Sequence, residues 1–177
     1  MRLCSLEWIR RLFHFPRRLP MPTDTHCPEE KQIIHTLRML NSFRRFVGYE
    51  LIPRESNSEH EARTLFEAPF VVVSHGIQAD PILNYGNRMA LELWEMDFET
   101  LTSIPSRLTA EPLHRDERAL LMSRAERDGF VDDYRGVRIS SSGKRFVIEQ
   151  AIVWNVIDEE GQRVGQAATF LQWTPIV

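Results

Sequence analysis

The sequence predicts an α+β domain: a five-stranded antiparallel sheet with helices on one face and an N-terminal amphipathic helix on the other. Three observations carry this. Apolar residues recur at helical spacing over positions 29–47, then give way to short β-branched runs near positions 70 and 82. Capping residues and prolines punctuate the middle of the chain. Long apolar runs separated by tight turns then fill positions 130–173, the pattern of an antiparallel meander.

Each element has a local cause. Ile33, Ile34, Leu37, Leu40, Phe43, Val47 and Leu51 fall at three- and four-residue steps, which gives the helix over 29–47 one apolar face. Glu29 and Glu30 stand where a helix N-terminus favours acids. A short helix over 59–67 stops before Pro69. Phe70 to Ser74 reads as a buried strand ended by His75-Gly76, and Pro81 to Tyr85 pairs with it as a hairpin. Asn87 and Asp97 cap the next two short helices, because their side-chain oxygens accept orphan backbone N–H groups. A longer helix over 112–128 carries Leu113, Leu120, Leu121 and Ala125 and stops at Gly129. Strands over 130–139, 144–157 and 162–173 follow, joined by turns at 140–143 and 158–161.

The 177 residues suit one domain plus extensions. The expected division is a basic, proline-rich leader and linker over 1–28, the N-terminal helix and its connection over 29–60, the domain proper over 61–173 and a tail over 174–177. A hydrophobic fraction of 42% and a charged fraction of 27% are ordinary for a globular chain. The net charge of −3 supplies no basic field for nucleic acid. No apolar run reaches the ~20 residues of a membrane-spanning helix. The leader lacks a signal-peptide pattern, so a cytoplasmic location with reduced Cys4 and Cys27 is expected. Cys4, His26 and Cys27 lack the spacing of a metal site.

No catalytic residue is assigned. Ser74 and His75 are adjacent on a strand and point to opposite faces, so they do not form a nucleophile–base pair. There is no nucleophile elbow, P-loop or dinucleotide-binding glycine fingerprint.

The strand, cap and turn order resembles the PAS fold. Residues 68–76 (Ala-Pro-Phe-Val-Val-Val-Ser-His-Gly), 80–87 (Asp-Pro-Ile-Leu-Asn-Tyr-Gly-Asn), 105–110, 138–143 and 165–170 more closely resemble the MEKHLA domain. That domain occurs alone in bacteria and algae, and at the C-terminal end of certain plant homeodomain–leucine-zipper proteins, as a PAS-like regulatory module. This chain shows no homeodomain, zipper or basic recognition helix.

The resemblance implies a ligand between the inner sheet face and the middle helices. Alternation separates Val147, Glu149, Ala151, Val153 and Asn155 from Ile148, Gln150, Ile152 and Trp154. Counted back from the turn at 158–161, the PAS-like arrangement turns Glu149, Ala151 and Val153 inward, beside Gln166, Ala168 and Phe170 of the last strand. Ile148, Ile152 and Trp154 then seat the N-terminal helix. A pocket-facing Glu149 needs a partner, for which Arg107 and Arg138 are the candidates. It anchors a ligand or forms an ion pair at the pocket mouth; a one-residue slip in register turns it to solvent instead. Tyr85, Asn87, Trp94, Leu108 and Tyr134 complete the wall or serve as plain core.

Flavin photosensors of the PAS family use a cysteine after the short helices. Ile104 to Leu108 contains none, which excludes that adduct and leaves non-covalent flavin open. Haem would use His75 or His114, neither of which the sequence directs inward. Three functions follow. The first is a sensory domain binding a small apolar or aromatic molecule and signalling through protein interaction. The second is a ligand-free module that forms a homodimer through the N-terminal helix and the outer sheet face. The third is a small enzyme using Glu149.

Overall fold

The computed structural model describes residues 28–110, 124–125 and 127–176. Helix α1 (Glu30–Val47) opens on a capping box between Glu29 and Gln32 and ends at Gly48, whose φ of 95° suits a residue without Cβ. Helix α2 (Ser58–Phe66) is capped by the Asn57 side chain, which accepts from the His60 N–H. Buried Glu61 latches the loop between them: its Oε1 accepts from Arg54 Nε at 2.9 Å and from the Glu55 N–H at 2.7 Å. Strands β1 (Val71–His75) and β2 (Leu83–Gly86) come next, then α3 (Arg88–Trp94), α4 (Phe98–Leu101) and a 3-10 turn over Ser106–Thr109. Strands β3 (Phe130–Ile139), β4 (Arg145–Ile157), β5 (Arg163–Phe170) and β6 (Trp173–Ile176) follow.

The sheet order is β2-β1-β5-β4-β3, and the pairings are antiparallel. A sixth strand departs from the five expected. After Phe170 the chain steps out of β5 and re-enters as β6 against Arg145–Ile148 of β4. The backbone donors of this end of β4 gain a partner, and residues 174–176 are sheet, where a tail was expected. The helix expected over 112–128 falls mostly outside the described residues, as do Leu121 and His114. The Ala125 carbonyl accepts from Asn155 Nδ2 at 2.9 Å and from the Gly129 N–H at 2.9 Å.

The sheet separates two cores. On its outer face α1 and α2 pack Met39, Leu40, Phe43 and Leu65 onto Phe70, Val72, Ile152, Trp154 and Val156. The Phe43 and Trp154 rings meet edge-on at 4.9 Å, and Trp154 Nε1 donates to the Met39 carbonyl at 3.1 Å. On the inner face α3 and α4 pack Ala90, Trp94 and Leu101 onto Val71, Leu83, Phe146, Ile148, Ala151 and Phe170.

Ile148 therefore faces inward, not toward α1 as strict alternation implies. Ala151 pairs with Tyr134 and Ile148 with Gly136, so β4 carries one more residue than β3 across this step. The extra residue is absorbed at Gln150, which sits in the left-handed region at φ 54°. Alternation restarts there. Ile148 and Ala151 share the inner face, and Glu149 turns outward.

Asn87 joins the two layers. Its Oδ1 accepts from the Val72 N–H at 2.9 Å and the Ala90 N–H at 3.2 Å. Its Nδ2 donates to the Phe70 carbonyl at 2.7 Å and approaches those of Leu65 and Ala68 at 3.4 Å. One fully buried amide thus ties the end of α2, the start of β1 and the N-terminus of α3.

Substitutions at two positions test this frame. Gln150→Gly relieves a left-handed non-glycine residue and should stabilise the fold by about 0.5–1 kcal/mol, whereas Gln150→Ile should destabilise it; urea unfolding distinguishes them. Asn87→Asp sets a carboxylate oxygen against buried carbonyls and should cost about 3 kcal/mol or more by the same measurement. An unchanged midpoint would remove Asn87 from its role as the joint.

Candidate ligand cavity

Helix α3 is pinned to the sheet at both ends. Asn87 holds the first. At the other, Glu95 leaves α3 at φ 56° and gathers the β3–β4 turn. Ser140 Oγ donates to its Oε2 at 2.7 Å, and Ser142 Oγ and Lys144 Nζ also bind the carboxylate. The Ser141 N–H donates to the Trp94 carbonyl at 3.0 Å and Ser141 Oγ to the Glu95 carbonyl at 2.8 Å. Lys144 first, then the serine hydroxyls, hold the Glu95 carboxyl down at about 2.

Between α3, α4, the 3-10 turn and the inner sheet face lies a cavity of about 90 Å³. Leu83, Leu101, Val131, Ile148, Val153 and Phe170 give it an apolar body, and Ser106, Thr109, Tyr134, Arg138 and Gln166 add polar groups. Trp94 is 2% exposed and Ser106 is 8% exposed. Trp94 Nε1 and Ser106 Oγ are buried without a hydrogen-bond partner among the described residues.

The structure brings together Trp94, Tyr134, Arg138, Val153, Gln166, Ala168 and Phe170 of the expected wall. Ala151 faces the same way but is packed into the inner core. The remaining expectations are corrected. Glu149 lies outside the cavity: its side chain is 48% exposed and pairs with Arg135 at 3.2 Å, because the irregularity at Gln150 reverses its side. Arg107 pairs with Asp80 at 3.0 Å on the surface, and Leu108 is 56% exposed, because both project outward from the 3-10 turn. Tyr85 belongs to the outer core, since β1 and β2 shift register between Ser74 and His75. Asn87 is occupied by the joint.

Sequence reasoning missed Leu83, Leu101, Ser106, Thr109, Val131 and Ile148. The Pro105–Ala110 segment was a signal for two of these. Pro105 bridges Ile82, and the Ser106 N–H donates to the Pro81 carbonyl at 2.8 Å, which brings the turn over the cavity.

A hydrogen-bonded chain ties β1, one wall of the cavity, to the outer helix. Ser74 lines the cavity, and its Oγ donates to Asn84 Oδ1 at 2.6 Å. With that single proton used, His35 Nε2 is the donor in the 2.8 Å contact from α1 to Ser74 Oγ. Burial first, and then the charge of Arg38, lower the His35 pKa to about 4.

The family model of the MEKHLA domain matches residues 33–175. The chain belongs to the MEKHLA family. The chain is 21% identical over 162 residues to homeobox-leucine zipper protein ATHB-15 of Arabidopsis thaliana, covering 91% of this chain and 19% of that protein. It is 23% identical to homeobox-leucine zipper protein HOX32 of Oryza sativa subsp. japonica, covering 90% of this chain and 19% of that protein. The chain thus spans about a fifth of the length of these relatives. Among solved structures, the PAS domain of a protein from Colwellia psychrerythraea matches with a TM-score of 0.56 at 16% identity, over 66% of this chain and 94% of that one. An RNA-binding light-oxygen-voltage receptor matches with a TM-score of 0.57 at 19% identity, over 71% of this chain and 35% of that one. These likenesses show the PAS fold for this MEKHLA domain. Among the described residues no helix is long and apolar enough to cross a membrane.

The cavity does not fit the large cofactors of PAS relatives. At about 90 Å³ it is well below the ~300–1,000 Å³ of clefts that hold drug-sized ligands. His75 lines the cavity with its Nδ1 2.8 Å from the Gly76 carbonyl, whereas His114 lies outside the described residues. The outer sheet face is covered by α1 and α2 of the same chain, so a second copy would meet the outward side of α1 and not the sheet.

His35 makes the fold pH-sensitive in a defined window. Its folded pKa of about 4 lies below the ordinary 6.5, so the unfolded chain takes up the proton first. This contribution is fully present above pH 6.5 and is lost as the pH falls toward 4. The slope is at most about 1.4 kcal/mol per pH unit. Denaturant unfolding between pH 7 and pH 4.5 should show a steeper loss for the wild type than for His35→Gln. Equal slopes would mean that His35 is not buried as the neutral form.

Proposed function

We propose that this MEKHLA domain senses a small molecule with an apolar or aromatic body, bound in the inner cavity, and passes its occupancy to α1. The supporting observation is the pair of unpartnered polar groups, Trp94 Nε1 and Ser106 Oγ, buried among the residues that line the cavity. In a cavity that serves only as core, buried polar atoms are paired or replaced by apolar ones. A ligand with an acceptor at one end satisfies the indole N–H while its body covers Leu83, Ile148 and Val153. The Ser74–His35 contact supplies a route outward. A ligand that shifts β1 alters that bond and biases the position of α1, provided its affinity differs between the two positions.

Native mass spectrometry of the freshly purified full chain, combined with methyl NMR titration by toluene and p-cresol, tests this reading. Retained mass, or shifts at the Leu83 and Ile148 methyls, is expected. Ala168→Leu should fill the cavity, remain folded and abolish both signals. A wild-type protein that retains nothing and gives no shift with either probe would overturn ligand sensing in this cavity.

A further inference from the structure

We infer that the molecule held in this cavity is a small organic anion, a monocarboxylate with a compact apolar body, and that Arg138 binds its carboxylate. This deepens the ligand-sensing reading and rests on it.

Charge is the first argument. The described residues lining the cavity include the guanidinium of Arg138 and no aspartate or glutamate. Nearby cations are already matched: Arg135 pairs with Glu149, Lys144 with Glu95 and Arg107 with Asp80. Arg138 has no carboxylate within ion-pair distance among the described residues. Its contacts are neutral, from Nη1 to the Val137 carbonyl at 3.1 Å and from Nη2 to Tyr134 Oη at 2.5 Å. A half-buried guanidinium beside apolar surface favours an anionic partner.

Geometry is the second. Arg138 lies over the Tyr134 ring, 5.2 Å from its centroid. Gly136, between them, makes this possible. A Cβ there would stand 2.5 Å from Tyr134 Oη and 3.2 Å from Arg138 Nη1. The phenol therefore leans along the strand and props the guanidinium in one orientation. Among the described residues, two of the five N–H donors of Arg138 are used, and the rest remain for the planar fork that a carboxylate matches.

The third is donor polarity. Among the described residues that line the cavity, the buried groups lacking partners are the Trp94 indole N–H, which only donates, and the Ser106 hydroxyl. Both suit an acceptor-rich ligand. A volume of about 90 Å³ limits the rest to one ring or a short branched chain.

Benzoate and its neutral shape-match benzamide are the probes, titrated into the full chain by methyl and Arg Nε–H NMR. Benzoate should bind about 10- to 100-fold more tightly than benzamide. In Arg138→Gln the ratio should collapse toward one. Arg138→Lys, which keeps the charge without the fork, should recover only part of it. Gly136→Ala should lower benzoate affinity while leaving toluene binding in place. Equal affinity for the two probes in the wild type would overturn the anion inference and leave cavity binding standing. The anion inference falls in the same way if toluene shifts the cavity methyls and benzoate does not. If no probe shifts them, both readings fall. The wild-type ratio decides the matter even if a variant does not fold.

Discussion

A 13-residue strand in strict alternation would send Ile148 and Ala151 to opposite faces of the sheet. In β4 they share one. The strand must serve two cores, with Trp154 and Ile152 under α1 at one end and Phe146 and Ile148 under α3 at the other. Gln150 at φ 54° reconciles them by inserting one residue and resetting the phase. Without that reset Ile148 would point toward α1 and Glu149 into an apolar space. Taking a carboxylate out of water costs several kcal/mol even beside a cation, more than the roughly 1 kcal/mol of a left-handed glutamine. The strained residue is therefore the lower-energy solution, and the geometry of the cavity follows from it.

The same irregularity helps explain why a cavity exists. β3 carries its own extra residue between Val131 and Tyr134, close to the step at Gln150 on β4. Paired irregularities increase local twist and curl a sheet away from the elements packed on it. Small Ala168, between Val73 and Val153 in register, does not fill the space. Asn87 and the Glu95 clasp hold α3 in place, so the helix does not settle into the gap. On the other face Phe43 and Trp154 interlock without such relief, and α1 is seated on a filled core. One sheet thus presents a packed side and a side that leaves a cavity.

The layers were legible in the sequence because they depend on periodicity and caps. Residues 29–47 read as an amphipathic helix, Asn87 and Asp97 as caps, and the later turns as hairpins, each from short-range chemistry that the structure retains. The cavity was half legible. On β5 alternation holds, so Gln166, Ala168 and Phe170 were correctly turned inward. On β4 the count failed beyond Gln150, because a left-handed glutamine carries no sequence mark as a glycine would. Tyr85 was misplaced for the same reason, by the register shift between β1 and β2. Ser106 and Thr109 were missed because a 3-10 turn has too few residues to show a period. β6 was missed because Leu171 and Gln172 interrupt the apolar pattern without a glycine or proline to signal a new strand.

The outward turn of Glu149 has an electrostatic consequence for the site. With strict alternation its carboxylate would face the same space as Arg138, and the two would neutralise each other inside the cavity. The reset at Gln150 separates them. Glu149 reaches the surface and meets Arg135 at 3.2 Å, where solvent screening leaves such a pair worth little to stability. Arg138 stays on the cavity wall, propped by Tyr134 over Gly136. A one-residue change of phase in a central strand thus turns an internally paired site into a cationic one. A guanidinium kept without its carboxylate carries an electrostatic cost on the cavity wall, which the proposed anion would relieve. The unpaired charge that the anion proposal rests on thus originates in the conformation of Gln150.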